Sequence, residues 1–187
     1  MKQQTKKIIM LSFKNMLERM PFDKITVSAL VRECEINHNT FYYYYHDIYQ
    51  LLDEWIEWEL DRSLSENGNR RLEDNLKKLL YKCRDNGKII YHIFGSLSRD
   101  HLEQYLFTTT NGALYQQIYE KARDKKISDV NIQNITDFCR YALMGYFLRF
   151  LWNNMEEDIE NEVDNIAHML DIFIENSIEE FSKRQLS

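Results

Sequence analysis

The sequence is poor in the two residues that most often interrupt helices. One proline and five glycines stand among 187 residues. Proline removes a backbone donor and glycine carries a conformational-entropy cost, so helix interiors avoid both. Their scarcity excludes glycine-rich phosphate loops and points to a largely helical chain. Cysteine is scarce too. Cys34, Cys83 and Cys139 are far apart, odd in number and without a CxxC pair. That excludes a disulfide framework and fits buried free thiols in a reducing cytosol. Long apolar runs are missing. The stretch from Ile8 to Leu11 is soon interrupted by Lys14, Asn15, Glu18 and Arg19, too short for a signal sequence or a membrane span. A cytoplasmic protein is expected. HExxH, GxSxG and GxxxxGK[ST] are absent, so no residue is assigned a catalytic role and no enzyme is expected. His38, His46, His92, His101 and His168, taken with Cys83 and Cys139, lack close ligand spacing, so neither a metal nor another cofactor is expected.

What the chain does contain is apolar and aromatic. Hydrophobic residues make up 44% of it, charged residues 29% and aromatics 13%, enough for a real core. The formal net charge is −6, unevenly spread: residues 1–50 hold seven Lys/Arg against five acids, a balance of +2. The remaining residues hold seventeen against twenty-five, a balance of −8. The N-terminal end is the cationic end, although +2 is a weak footprint for a nucleic-acid binder.

Periodicity divides the chain into helices. Ile9, Phe13, Met16, Leu17 and Met20 form one stripe over residues 3–20, and Pro21 closes it. Thr26 can cap a short helix over 27–34, and Asn37 a second over 38–45. A longer helix follows from Ile48 to about Leu64. The polar stretch from Ser65 to Asn69 reads as the break between domains. Beyond it, helices are expected over 70–85, 87–96, 99–107, 110–125, 133–155 and 159–182. The helix over 133–155 is apolar nearly all round, which needs a core on one side and a partner on another. The expected fold is all-α, about nine helices, with an N-terminal helix-turn-helix followed by a helical bundle. Residues 1–50 form the first domain and 51–187 the second.

Two short helices joined by a tight turn, flanked by packing helices, make a helix-turn-helix. The second short helix begins His38-Asn39-Thr40 and continues Phe41-Tyr42-Tyr43-Tyr44-Tyr45. Phe41 and Tyr45, four apart, share the face that packs on Leu30 and Val31. His38, Asn39, Tyr42 and Tyr43 then point into solvent or DNA. Periodicity alone leaves open a plain bundle with a solvated polar helix start.

The run Ile25-Thr26-Val27-Ser28-Ala29-Leu30-Val31, then Ile36-Asn37-His38-Asn39-Thr40-Phe41-Tyr42, then Leu51-Leu52, resembles the N-terminal domain of TetR-family regulators. Within that family it is most similar to the branch containing regulators of dihydroxyacetone-kinase operons. The resemblance covers about residues 8–55. Pro21, Asn39 and Ile48 depart from the family pattern, which usually has Gly, a small residue and a phosphate-touching Lys there. The resemblance implies a sequence-specific DNA-binding regulator, expected as a repressor, acting as a homodimer through its last two helices on an inverted-repeat operator. An adaptor that binds another regulatory protein with the same fold is the alternative. His38 and Asn39 are the expected base readers. Thr26, Thr40, Tyr42 and Tyr43 are expected on phosphates, with Asn37 and Tyr44 completing the DNA-binding set. A small-molecule effector in the second domain would meet Tyr81, Tyr91, Phe94, Tyr105, Tyr115, Tyr119, Tyr146 and Phe147, with His92, Arg140 or Arg149 as polar anchors. The same aromatics can equally fill a core.

Overall fold

The computed structural model describes residues 2–64, 72–98, 101 and 111–184, and every regular element among them is helical. These are α1 (Lys2–Arg19), a short 3-10 turn (Phe22–Lys24), α2 (Val27–Glu33), α3 (His38–Tyr44), α4 (Ile48–Leu64), α5 (Leu72–Asp85), α6 (Gly87–Phe94), α7 (Asn111–Ala122), α8 (Asp129–Trp152) and α9 (Ile159–Arg184). The all-α architecture expected from the sequence is the one observed. The break from Ser65 to Asn69, Tyr105, and the helix expected over 99–107, His101 apart, lie outside the described residues.

The chain divides into two compact units: residues 1–68 with 82–102, and residues 69–81 with 103–187. The first is the head. Its core joins Ile9, Phe13, Leu17, Leu30, Val31, Phe41, Tyr45, Leu51, Leu52 and Trp55, all buried. Phe13 meets Phe22 and Trp55 edge to face, each with ring centroids 6.2 Å apart. Burying one such side chain contributes about 1.5–3 kcal/mol, and the edge-to-face geometry adds to it. The head does not stop at α4. Ile89 and Ile93 of α6 belong to the same core, and the His92 Nδ1 lies 2.6 Å from the Leu17 carbonyl oxygen, a hydrogen bond that ties α6 to α1.

The second unit is built on α7, α8 and α9. Leu114, Ile118, Ile132, Ile135, Cys139, Ile166, Leu170, Ile174 and Ile178 form its core. Charged pairs fasten its rim: Lys121 Nζ to Asp171 at 2.7 Å, and Lys77 Nζ to Glu160 and Asp164 at 2.7 Å each. The α8 helix begins four residues earlier than the apolar pattern suggests, at Asp129. Ser128 caps it by accepting the Asn131 N–H at 3.3 Å. Between α8 and α9 the chain turns through Asn154 and Met155, both at positive φ (54° and 58°). No described helix is long and apolar enough to cross a membrane.

Candidate nucleic-acid interface

The helix-turn-helix is built from two side-chain caps. Thr26 Oγ1 accepts the Ala29 N–H at 3.2 Å and starts α2; Asn37 Oδ1 accepts the Thr40 N–H at 2.7 Å and starts α3. Each cap satisfies a donor that the first helical turn leaves without a partner. The turn between them passes through Glu35 at φ 54°, a conformation that side chains usually avoid. Beneath α3, Phe41 and Tyr45 are buried together, with ring centroids 5.6 Å apart. This fixes the opposite face. His38, Asn39, Tyr42 and Tyr43 are all exposed, Tyr43 at 63%.

The two threonines of the motif, Thr26 as the cap of α2 and Thr40 in the first turn of α3, differ in what they can still donate. Thr26 uses its oxygen as an acceptor, so its hydroxyl proton remains available to a phosphate. The Thr40 hydroxyl donates to Asn37 Oδ1 at 3.0 Å, so its proton is already engaged. Asn37 Oδ1 is occupied as the cap, whereas the Asn37 amide still carries two N–H donors. Tyr44 is half-buried and rests against the head core, with its ring 5.0 Å from that of Tyr43.

Two features of this surface were missed by the sequence reading, the first without any sequence signal and the second with one, the Asp47-to-Gln50 spacing. The first is a contact between the short helices: Ser28 Oγ lies 3.1 Å from His38 Nε2. The second is the start of α4, where Gln50 N–H donates to Asp47 Oδ1 at 2.8 Å and His46 N–H donates to Gln50 Oε1 at 2.5 Å. This is a reciprocal cap of the capping-box kind. The Gln50 N–H is the first reason that the Asp47 carboxyl ionises below the usual carboxylate range. Ile48, at the first position of α4, packs its side chain on the head core. Several head cations are paired internally: Arg19 with Glu33 at 2.5 Å, Lys6 with Glu54 at 2.5 Å and Lys24 with Asp23 at 3.2 Å.

The residues expected around an effector fall into both units. Tyr91, His92 and Phe94 belong to the head, where His92 is bonded to Leu17 and Tyr91 is exposed. The second unit holds the others. Tyr81 donates to Glu160 at 3.0 Å. Tyr115 and Tyr119 stack with ring centroids 6.1 Å apart, and Phe147 is half-buried. Arg140 is buried, with Nη1 2.8 Å from Asp137 Oδ1. Arg149 is exposed, pairs with Glu157 at 3.3 Å and with Glu162, and lies 4.8 Å from the Tyr146 ring centre. Cys83 and Cys139 are buried, and burial lifts their thiols to about 12 and about 11. Among the described residues no group of His, Cys, Asp and Glu is arranged to hold a metal ion.

The described residues thus form a capped helix-turn-helix on one helical unit, joined to a second helical unit. Residues 70–172 match the family described as the C-terminal region of transcriptional regulators of the TetR type, TetR_C_8. The chain therefore belongs to the TetR family of regulators. It is 26% identical, over 139 residues, to the HTH-type dhaKLM operon transcriptional activator DhaS of Lactococcus lactis subsp. lactis (strain IL1403), covering 73% of this chain and 72% of that one. The solved structure of a dihydroxyacetone kinase operon activator DhaS shares the fold, with a TM-score of 0.65 at 20% identity over 95% of this chain and 98% of that one.

Proposed function

We propose that the protein is a sequence-specific DNA-binding regulator that acts as a homodimer on an inverted repeat. The observation that carries this is the division of α3 into two faces. Phe41 and Tyr45 lock one face into the head, and His38, Asn39, Tyr42 and Tyr43 are left exposed on the other. A helix fixed in this way can offer polar side chains to base edges in the major groove. The Thr26 hydroxyl supplies a phosphate contact. Support for the homodimer comes from the second unit. Phe138 and Tyr141 of α8 are 57% and 58% exposed, Met169 and Ile172 of α9 are exposed, and Phe138 stacks on Phe173 at 4.4 Å. A groove of about 480 Å³ runs along α9 past Met169, Ile172, Phe173 and Phe181. Apolar surface of this kind is unfavourable in water and is covered when two copies meet about a two-fold axis.

Selection from random duplexes tests the DNA reading: it is expected to return two half-sites related by inversion, and return of no site would overturn it. Light scattering tests the dimer; a mass of 22.7 kDa at micromolar concentration would mark a monomer and contradict it. Repression was the expectation from the sequence. The function named for both relatives favours activation, and we take activation as the output. A reporter promoter placed beside the selected site decides the sign, because activation raises transcription and repression lowers it. A small-molecule effector in the second unit is part of this proposal, with Tyr115, Tyr119 and Tyr146 as walls and the buried Arg140 as polar anchor. A true effector both raises the melting temperature and shifts operator affinity. The adaptor reading has two observations on its side: Ile48 packs inward where a phosphate-touching cation is expected, and several head cations are spent on carboxylates. Measured DNA affinity of the protein alone separates the two.

A further inference from the structure

We propose that Ser28 is a positioning residue for His38 and thereby sets the base preference of the recognition helix; the inference rests on the DNA-binding reading above. The two side chains come from different helices, α2 and α3, ten positions apart in sequence, and meet with Ser28 Oγ 3.1 Å from His38 Nε2. Both residues are exposed on the surface that carries Asn39, and neither makes another side-chain hydrogen bond among the described residues. The chemistry of the pair follows from counting protons. A serine hydroxyl carries one proton, and at 3.1 Å it can either donate to Nε2 or accept from it; we take the hydroxyl as the donor. When that proton points at Nε2, the neutral imidazole carries its own proton on Nδ1. The ring is then held in one orientation, with Nδ1–H as the donor left for DNA.

A donor at that position has a definite complement. In the major groove guanine offers N7 and O6, adenine offers N7 and thymine offers O4, all acceptors. Cytosine offers only its N4 amine, a donor, and meets Nδ1–H donor against donor. His38 that accepts from Ser28 at Nε2 therefore discriminates against cytosine at the base it faces. Without the serine hydroxyl the ring is free to rotate and to move its proton to Nε2. It then presents an acceptor as readily as a donor, and the penalty on cytosine falls. Ser28 touches no base in this account; it acts through His38.

The test uses the full-length dimer. A site is first selected from random duplexes with the wild-type protein, and affinities are then measured for the four bases at the position where His38→Ala flattens the preference. Ser28→Ala is expected to cut discrimination against cytosine about tenfold while leaving affinity for the preferred base within about twofold. Ser28→Thr keeps a hydroxyl and is expected to retain the wild-type preference. Ser28→Val has the same shape as threonine without the hydroxyl and is expected to behave as Ser28→Ala, so the Thr/Val pair isolates the hydroxyl even if alanine perturbs the fold. In the His38→Ala background, Ser28→Ala is expected to change nothing further. A Ser28→Ala protein that keeps the wild-type base profile overturns the proposal and leaves DNA binding intact. Equal weakening on all four bases also overturns it, since that marks a phosphate contact. Failure to select any site overturns it together with the reading on which it rests.

Discussion

The face of α3 in the head and the outer faces of α8 and α9 in the second unit carry different chemistry. In the head, the aromatic residues Phe13, Phe22, Phe41, Tyr45 and Trp55 are drawn inward, and the exposed rings on α3, Tyr42 and Tyr43, each carry a hydroxyl. In the second unit the main buried cluster is aliphatic apart from Cys139, and the exposed groups of α8 and α9 include Phe138, Met169 and Ile172, which offer no hydrogen bond at all. A face that keeps polar tips can sit against a hydrated polyanion. A face of bare carbon lowers its free energy only against another apolar face, at about 25 cal/mol per Å² covered. The same chain therefore carries two kinds of contact surface, told apart by the polar tips that the exposed side chains keep or lack.

The strongest way to break this contrast is to make the apolar face polar. Phe138→Asp combined with Ile172→Asp is expected to give a folded monomer at micromolar concentration, read by light scattering. Operator affinity should fall about 10²-fold or more, because each head then binds without its linked partner. A double variant that remains dimeric would place the interface elsewhere. Changes on the head face act more narrowly. Asn39→Ala is expected to lose about 1–3 kcal/mol of discrimination at one base pair, whereas Tyr42→Phe weakens every sequence alike. Competition titrations on single-base variants of the site separate the two patterns.

Smaller effects sharpen the account of the head itself. Glu35 sits at φ 54°, where a side chain costs about 1–2 kcal/mol and glycine nothing, while glycine loses about 0.5–1 kcal/mol to chain entropy. Glu35→Gly is therefore expected to raise stability by about 0.5 kcal/mol in denaturant melts. Asp47 gives the smallest effect. Its carboxyl ionises below the usual range in the folded head, chiefly because it accepts the Gln50 N–H. A depressed folded value means stability that is present above the ordinary carboxylate range and lost as pH falls through the folded value. Melting temperatures followed from neutral to acid pH should fall less steeply in Asp47→Asn than in the wild type.

Local signals in the sequence carried the local structure. Pro21, Thr26 and Asn37 mark helix ends by chemistry that acts within four residues, and the caps stand where those residues place them. The start of α8 was less legible, because Asp129-Val130-Asn131 has the polarity of a connection; only the Ser128 cap reveals a helix there. Long-range partners left no trace. The stripe of Ile89 and Ile93 says that α6 is buried on one side but not that Leu17 and the head receive it. Nor does any spacing reveal that Ser28 meets His38, or that the Thr40 hydroxyl is turned onto Asn37.

The seat of α6 bears on how such regulators can exchange parts. The family-defining C-terminal region starts at residue 70 and so counts α6 among its own, whereas the core counts Ile89 and Ile93 with the head. A gene fusion spliced near residue 70 would graft a foreign α6 onto the resident α1 and strip the Leu17 carbonyl of the histidine that caps it. The head of this chain is thus transferable only as a discontinuous module, residues 1–68 together with 82–102. A lineage that swaps operator specificity by recombination must either carry both segments across or first evolve matching surfaces on α1 and α6.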